Sequence, residues 1–280
     1  MTQTIEDRGL RTYKSAKTRH LLMCRPTYFD VTYSINPWMD PAKETSADVG
    51  LDQWKRLHDL FVALGHEVEL VEPVPGLPDM VFSANGAIVI DGKVLVAKFR
   101  HRQRADEAEA YVDWFSFGGW DEVSQAEYVN EGEGDFLLAG GEILAASGFR
   151  TDPRSHDEVQ EFFGRPVLSL ELVDPRFYHL DTALAVLNPG EVMYYPGAFS
   201  FASQALLADR FPDAILAHEA DAEVFGLNAL SDGLHVMLPT HAVGLAAHLR
   251  ERGYLPIGIE LGELLKAGGS VKCCTLELRS

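Results

Sequence analysis

The sequence predicts an α/β protein assembled from one strand, strand, helix, strand unit used about five times. Three observations carry that expectation. A hairpin-like phrase recurs as Ile88 to Val96, Leu137 to Ala145, Leu184 to Tyr194 and Asn228 to Leu238, each with two apolar runs around a glycine turn. The turn glycines Gly92, Gly141, Gly190 and Gly233 are spaced by 43 to 49 residues, a period of the length that repeat architectures use. Helix-like stretches follow three of the hairpins, so the period contains a helix as well as strands.

Taken in order, residues 1–20 are a polar segment in which Glu6, Asp7, Arg8, Arg11 and Lys14 leave no apolar core for a signal peptide. A strand is expected from Leu21. Asp52 to Leu64 reads as a helix stopped by Gly65, and Glu67 to Val71 as the strand after it. Further helices are expected at Asp106 to Phe115, Ser155 to Phe163 and Ala242 to Arg252, the last stopped by Gly253. A short β-type run from Val271 would join the strand from Leu21 and complete a unit from the two ends. No linker or low-complexity stretch interrupts the period, so residues 21–280 are expected to be a single domain. A closed ring of such units would bring distant strand ends to one centre, and Glu131, His179 and Cys273 each lie at a unit border.

With 280 residues, 46% hydrophobic and 24% charged, the chain has the balance of an ordinary folded globule with a large core. A formal net charge of −18 disfavours nucleic acid or an anionic membrane as partner and favours a small cationic ligand. The three cysteines Cys24, Cys273 and Cys274 are odd in number, two of them adjacent, which suits a reducing compartment better than a disulfide framework. No apolar run approaches the roughly 18 residues of a membrane span, and a cytoplasmic protein is expected. A homo-oligomer is left open.

Candidate chemistry gathers in three segments. In Gly268-Gly269-Ser270-Val271-Lys272-Cys273-Cys274 the paired glycines would let backbone approach a ligand, and a thiol at a strand start beside a cleft is a candidate nucleophile. Spacing alone does not separate Cys273 from Cys274. Tyr178-His179-Leu180-Asp181 and Glu131-Gly132-Glu133-Gly134-Asp135 add an imidazole and carboxylates, which complete a set of nucleophile, base and electrostatic clamp. A His-x-Asp with one distant cysteine lacks the compact spacing of a zinc site, so no metal is expected.

These segments resemble the guanidine-modifying superfamily of arginine deiminases, dimethylarginine dimethylaminohydrolases and amidinotransferases, from about Leu21 to the C-terminus. The family's Gly-rich run ending in its nucleophilic cysteine corresponds to Gly268 through Cys273, and its His-Leu-Asp to His179 and Asp181. The resemblance implies a five-bladed β/α-propeller, with Cys273 as nucleophile and Cys274 as its neighbour. The family's Glu-Gly-Gly-Asp is one residue longer here. Glu131 is expected to face the substrate and Glu133 to be a second contact, because residues two apart share a face when extended.

The family phrase Phe-x-x-Asp, whose aspartate clamps the guanidinium, reads Phe82-Ser83-Ala84-Asn85 in this chain. Together with Tyr33-Ser34-Ile35-Asn36-Pro37-Trp38-Met39, it is similar to the arginine dihydrolase branch, which converts arginine to ornithine, ammonia and carbon dioxide. Asparagine both accepts and donates, so it suits arginine and a neutral ureido intermediate alike, whereas a carboxylate only accepts. By the same resemblance Arg150 would bind the substrate's carboxylate, and Asn36 and Asp181 would contact the substrate. His235 and His241 match no family motif.

The implied mechanism is attack by the Cys273 thiolate on the guanidinium carbon, with His179 as proton carrier, Glu131, Glu133 and Asp181 holding the guanidinium and favouring the cationic adduct, and no metal or organic cofactor. The alternatives are a dimethylarginine dimethylaminohydrolase or an arginine deiminase stopping at citrulline, an amidinotransferase, a zinc hydrolase, and a catalytically silent arginine-binding protein.

Overall fold

The computed structural model describes residues 14–120 and 122–280, so most of the polar N-terminal segment lies outside the described residues. Strand β1 (His20–Cys24) is apolar from Leu21 onward because it is the middle strand of its sheet, and Leu21, Leu22, Met23 and Cys24 are fully buried. Helix α1 (Ala47–Ala63) crosses from it to β2 (Glu67–Val71), which pairs parallel with β1. Ser46 caps α1 by accepting from the Val49 amide, so the helix begins earlier than the Asp52 expected from apolar periodicity. Its Trp54, Leu57 and Phe61 form the buried stripe, each contributing roughly 1.5–3 kcal/mol by its removal from water.

The same unit then recurs. It is built from β3 (Ala87–Ile90), β4 (Lys93–Val96), α2 (Glu107–Phe117) and β5 (Glu122–Gln125), then from β6 (Phe136–Ala139), β7 (Glu142–Ser147), α3 (Arg154–Phe163) and β8 (Val167–Glu171). The next copies are α4 (Leu180–Ala183), β9 (Leu184–Asn188), β10 (Glu191–Tyr194), α5 (Phe201–Arg210) and β11 (Ile215–Leu216), and then α6 (Glu219–Ala222), β12 (Leu230–Ser231), β13 (His235–Pro239), α7 (Val243–Glu251) and β14 (Leu255–Ile259). After α8 (Gly262–Leu265), β15 (Leu276–Glu277) pairs antiparallel with β1 and completes the unit made from both ends. The result is five three-stranded sheets, each with its first two strands antiparallel and its third parallel to the second. This α/β architecture fits a pseudo-fivefold arrangement.

The hairpin between β3 and β4 turns at Asp91 and Gly92, with φ of +52° and +76°. That pair of left-handed residues is what a two-residue turn matching the strand twist requires. Three differences from the sequence reading stand out. Helix α5 was not expected, because Phe201 points into solvent and only Ser203 and Leu207 are buried, leaving little periodicity to read. The expected β-run from Val271 is instead a turn through Cys274, and β15 begins only at Leu276. Gly268 and Gly269 approach protein, since a Cβ at Gly268 would lie 2.7 Å from the Tyr178 hydroxyl and one at Gly269 2.3 Å from the Phe82 ring. Among the described residues no helix is long and apolar enough to cross a membrane.

Candidate active site

Short turns just ahead of the first strand of each unit carry the polar side chains buried at the unit borders. Before β3 stand Asp79 and Asn85, before β6 Glu131, Glu133 and Asp135, before β9 His179 and Asp181, before β12 Asn228, and before β15 Lys272 and Cys273. All are buried. The turns are held to one another through the backbone, as where the Ala84 amide donates to the Cys273 carbonyl at 3.1 Å.

At the border before β15, the Cys273 thiol is 2% exposed and donates to Asp181 Oδ2 at 3.2 Å, while Asn228 Nδ2 donates to its Sγ at 3.1 Å. The Cys273 amide donates to Asn228 Oδ1 at 3.2 Å. Burial pushes the thiol well above its usual range and the neighbouring Asp181 carboxylate adds to the shift. Burial also pushes the Asp181 carboxyl up to about 7, against the opposing pull of Lys272. In the unliganded protein the nucleophile candidate is therefore a neutral thiol.

His179 and Glu131 form the second element. Glu131 Oε2 lies 2.8 Å from His179 Nε2 and accepts from Arg150 Nη1 at 2.6 Å. Burial pushes His179 down to about 4, outweighing the Glu131 hydrogen bond and charge. Burial alone would raise the Glu131 carboxyl, yet Arg150 and His179 hold it well below the ordinary carboxylate range. Asp135 positions the histidine turn: its Oδ1 accepts from the Leu180 amide at 3.2 Å and its Oδ2 from the Thr151 hydroxyl at 2.7 Å.

Glu133 does not join this group. Its Oε2 accepts from Lys272 Nζ at 2.8 Å and the Glu277 amide at 3.0 Å, and its Oε1 is paired with Arg279. The expectation that it shares a face with Glu131 assumed an extended chain, but Gly132–Gly134 is a 3₁₀ turn with Gly132 at φ +53°, which sends the two carboxylates apart. Arg150 is likewise buried, paired with Glu131, donating to the Ile35 carbonyl at 3.1 Å and lying over the Tyr178 ring at 4.7 Å. These two hydrogen bonds engage two of its five N–H donors. Asn36 braces the segment around Tyr33 and Trp38: its Nδ2 donates to the Ala267 carbonyl at 3.0 Å and its Oδ1 accepts from the Trp38 amide at 2.9 Å.

Asn85 accepts from Arg104 Nη1 at 2.7 Å through Oδ1, and its Nδ2 makes only a long 3.4 Å contact to the Glu131 carbonyl. Arg104 was missed in the sequence. It is buried, makes two 2.8 Å bonds to Glu107 and donates to the Asp79 carbonyl at 3.2 Å. Asp79, present in the phrase that holds Asn85 but not singled out there, accepts from the Tyr33 hydroxyl at 2.9 Å. Asn228 was also missed, although the repeat pointed to it: it occupies the one unit border for which the sequence offered no candidate.

Among the described residues, three buried polar atoms here lack a partner: Asp79 Oδ1, Asp181 Oδ1 and His179 Nδ1. Two are carboxylate oxygens, which can only accept from a proton-rich ligand unless they are protonated. Among the described residues no three His, Cys, Asp or Glu side chains are grouped to hold a metal ion. The arrangement offers a thiol, an imidazole backed by a carboxylate, and acceptors for a cation.

No protein-family model matches the chain. It is 53% identical over 265 residues to N(G),N(G)-dimethylarginine dimethylaminohydrolase of Mycobacterium tuberculosis, covering 95% of this chain and 87% of that protein. It is 37% identical to the bifunctional arginine dihydrolase/ornithine cyclodeaminase ArgZ of Synechocystis, covering 92% of this chain but 37% of ArgZ. The crystal structure of the N-terminal domain of ArgZ from cyanobacteria, a cysteine-to-serine variant bound to substrate, superposes with a TM-score of 0.89 at 35% identity, covering 94% of this chain and 98% of that one. A cysteine-centred fold with these relatives defines an enzyme of guanidino chemistry. The chain belongs to the guanidine-modifying superfamily and is a hydrolase of guanidino C–N bonds with a cysteine nucleophile.

Proposed function

We propose that the protein is an arginine dihydrolase, converting free arginine to ornithine, two ammonia and carbon dioxide through adducts on Cys273. The observation that carries this reading is the orientation of Asn85. Arg104 takes its Oδ1, so the NH₂ end, with only a 3.4 Å protein contact, is the end left to donate to a ligand. A donor there suits the carbonyl oxygen of a ureido intermediate, which an aspartate could not serve.

A guanidinium held by the unpaired Asp181 oxygen brings positive charge beside the thiol and lowers its cost of ionisation. His179 takes the thiol proton, the thiolate attacks the guanidinium carbon, and the proton leaves with the first ammonia. Water then adds to the thiouronium, His179 accepts its proton, and the carbon–sulfur bond breaks to give the ureido product. In the second cycle the thiolate attacks the ureido carbon and ammonia leaves. Water releases a carbamate from the resulting thiocarbamate, and the carbamate loses carbon dioxide. Glu131 favours the imidazolium at each proton transfer. Asp79 Oδ1 is suited to a second cationic group, the α-ammonium.

The five units are inferred to close into a β/α-propeller around this site. Supporting that reading, β15 ties the C-terminal end to β1, and the first strands β6, β9 and β12 are successive neighbours, as are β15 and β3.

A second reading, dimethylarginine dimethylaminohydrolase, is favoured by the 53% identical relative of that name. Incubation with L-arginine, citrulline and asymmetric dimethylarginine, with products identified by mass spectrometry and ammonia counted, separates the two. Ornithine with about two ammonia per arginine is expected from the proposed two-step scheme. Dimethylamine from the methylated substrate and no ornithine from arginine would overturn it.

A further inference from the structure

Asn228 is fully buried ahead of β12, and its carboxamide reaches three groups. Oδ1 accepts from the Cys273 amide at 3.2 Å, Nδ2 donates to the Asp181 carbonyl at 3.1 Å, and Nδ2 stands 3.1 Å from the Cys273 sulfur. The two backbone partners fix which end is which, since the flipped amide would set N–H against N–H and oxygen against oxygen. A donor is therefore held on the sulfur by contacts that do not involve the sulfur. Asn228 is the side chain that donates to Sγ, beside a backbone hydrogen bond from Ser270.

We propose that Asn228 is a catalytic residue whose Nδ2–H stabilises the Cys273 thiolate, while its Oδ1 fixes the backbone of the nucleophile turn. This rests on Cys273 being the nucleophile of the proposed reaction. Apart from a backbone hydrogen bond from Ser270, which also favours the thiolate, the groups facing the thiol oppose its negative form: Asp181 Oδ2 accepts from it, and Cys274 and the Tyr178 phenol are the neighbouring ionisable groups. Lys272, the residue before the thiol, is committed to Glu133 and the Thr275 carbonyl. In a site closed to water, one N–H on the sulfur replaces hydration that the thiolate would otherwise lose. The same amide links the nucleophile turn to the turn carrying His179 and Asp181, so it also sets the position of the thiol relative to its proton carrier.

The test needs no substrate. Alkylation of Cys273 by iodoacetamide is followed across pH, with the modified residue located by peptide fragmentation, in the parent, Asn228→Ala and Asn228→Asp. The aspartate variant keeps the acceptor for the Cys273 amide and lacks the donor. Both variants are expected to move the alkylation midpoint upward by at least about one pH unit, a tenfold loss of thiolate at fixed pH below it. With arginine, kcat is expected to fall at least about tenfold while KM changes less than about threefold. An unchanged midpoint in either variant that keeps the parent's circular dichroism spectrum overturns the proposal. If Asn228→Ala fails to fold, Asn228→Leu, of similar size and without a new charge, is read by the same criterion, because a carboxylate at this position would itself raise the thiol as Asp181 does. A parent protein that alkylates normally yet turns over no arginine would instead count against the proposed function and leave the role of Asn228 in thiol ionisation standing on its own profile.

Discussion

Glu131 shares one carboxylate oxygen between two partners, His179 Nε2 at 2.8 Å and Arg150 Nη1 at 2.6 Å. The pairing keeps a full negative charge on a group that burial would otherwise neutralise, next to an imidazole that burial has pushed down to about 4. Glu131→Gln removes the charge and keeps the shape. Turnover of arginine is expected to fall by about 10²–10⁴-fold, the usual worth of a proton carrier that has lost its support. Steady-state kcat measures this, and a loss under threefold would exclude Glu131 from proton transfer.

The displaced titrations of His179 and Asp181 have opposite consequences for stability. His179 is lowered from 6.5 to about 4, so over that interval the unfolded chain binds more protons and stability rises with pH. Asp181 is raised from 3.8 to about 7, so the folded chain binds more protons and stability falls with pH. Asp181→Asn abolishes the second slope. The stability of the variant relative to the parent should therefore rise by roughly 1–3 kcal/mol between pH 4 and pH 7. Urea unfolding at several pH values tests the sign, and a flat or falling difference contradicts the placement of Asp181.

Asn85→Asp exchanges a donor for an acceptor at the position argued to serve the ureido intermediate. Citrulline is expected to accumulate, with the ornithine to citrulline ratio falling by about tenfold or more, the cost of one lost charge-free donor in a buried site. Product ratios by mass spectrometry decide it. An unchanged ratio would remove Asn85 from the second step.

Glu133 joins two cations, Lys272 and Arg279, away from the thiol. Glu133→Gln leaves the buried Lys272 short of a partner, while the part-exposed Arg279 keeps Glu277, and should destabilise the fold by about 2–4 kcal/mol. The Michaelis constant of the surviving folded protein should stay within about threefold of the parent, since the side chain does not meet the substrate in this account. Thermal melting together with KM separates the two effects, and a large KM change with an intact melting temperature would return Glu133 to the substrate pocket.

The repeat could be read in advance because glycines recur at its hairpin turns. At Asp91-Gly92 and at Gly233 the backbone takes the left-handed conformation that favours such residues, whereas Gly141 and Gly190 do not. Cys273, His179 and Glu131 were visible as chemistry-bearing types at the unit borders. Glu133 misled because its pairing depends on a 3₁₀ turn, which an alternating pattern does not reveal. The run from Val271 looked like a strand, yet Lys272 turns inward to reach Glu133 and the Thr275 carbonyl, and strand geometry would not allow that closure. Arg104 and Glu107 belong to no motif singled out in the chain, and only packing brings this buried pair beside Asn85. Asn228 reads only as the first residue of a hairpin phrase, and the unit border it occupies is what marks it out.

Covalent attachment to Cys273 is the central claim, and acid quenching within milliseconds of mixing with arginine tests it most directly. Peptide mass spectrometry should find a substrate-derived adduct on Cys273 in the parent, with neither adduct nor turnover in Cys273→Ser. Arginine turnover retained by Cys273→Ser, with no adduct on the parent at any quench time, would contradict the account.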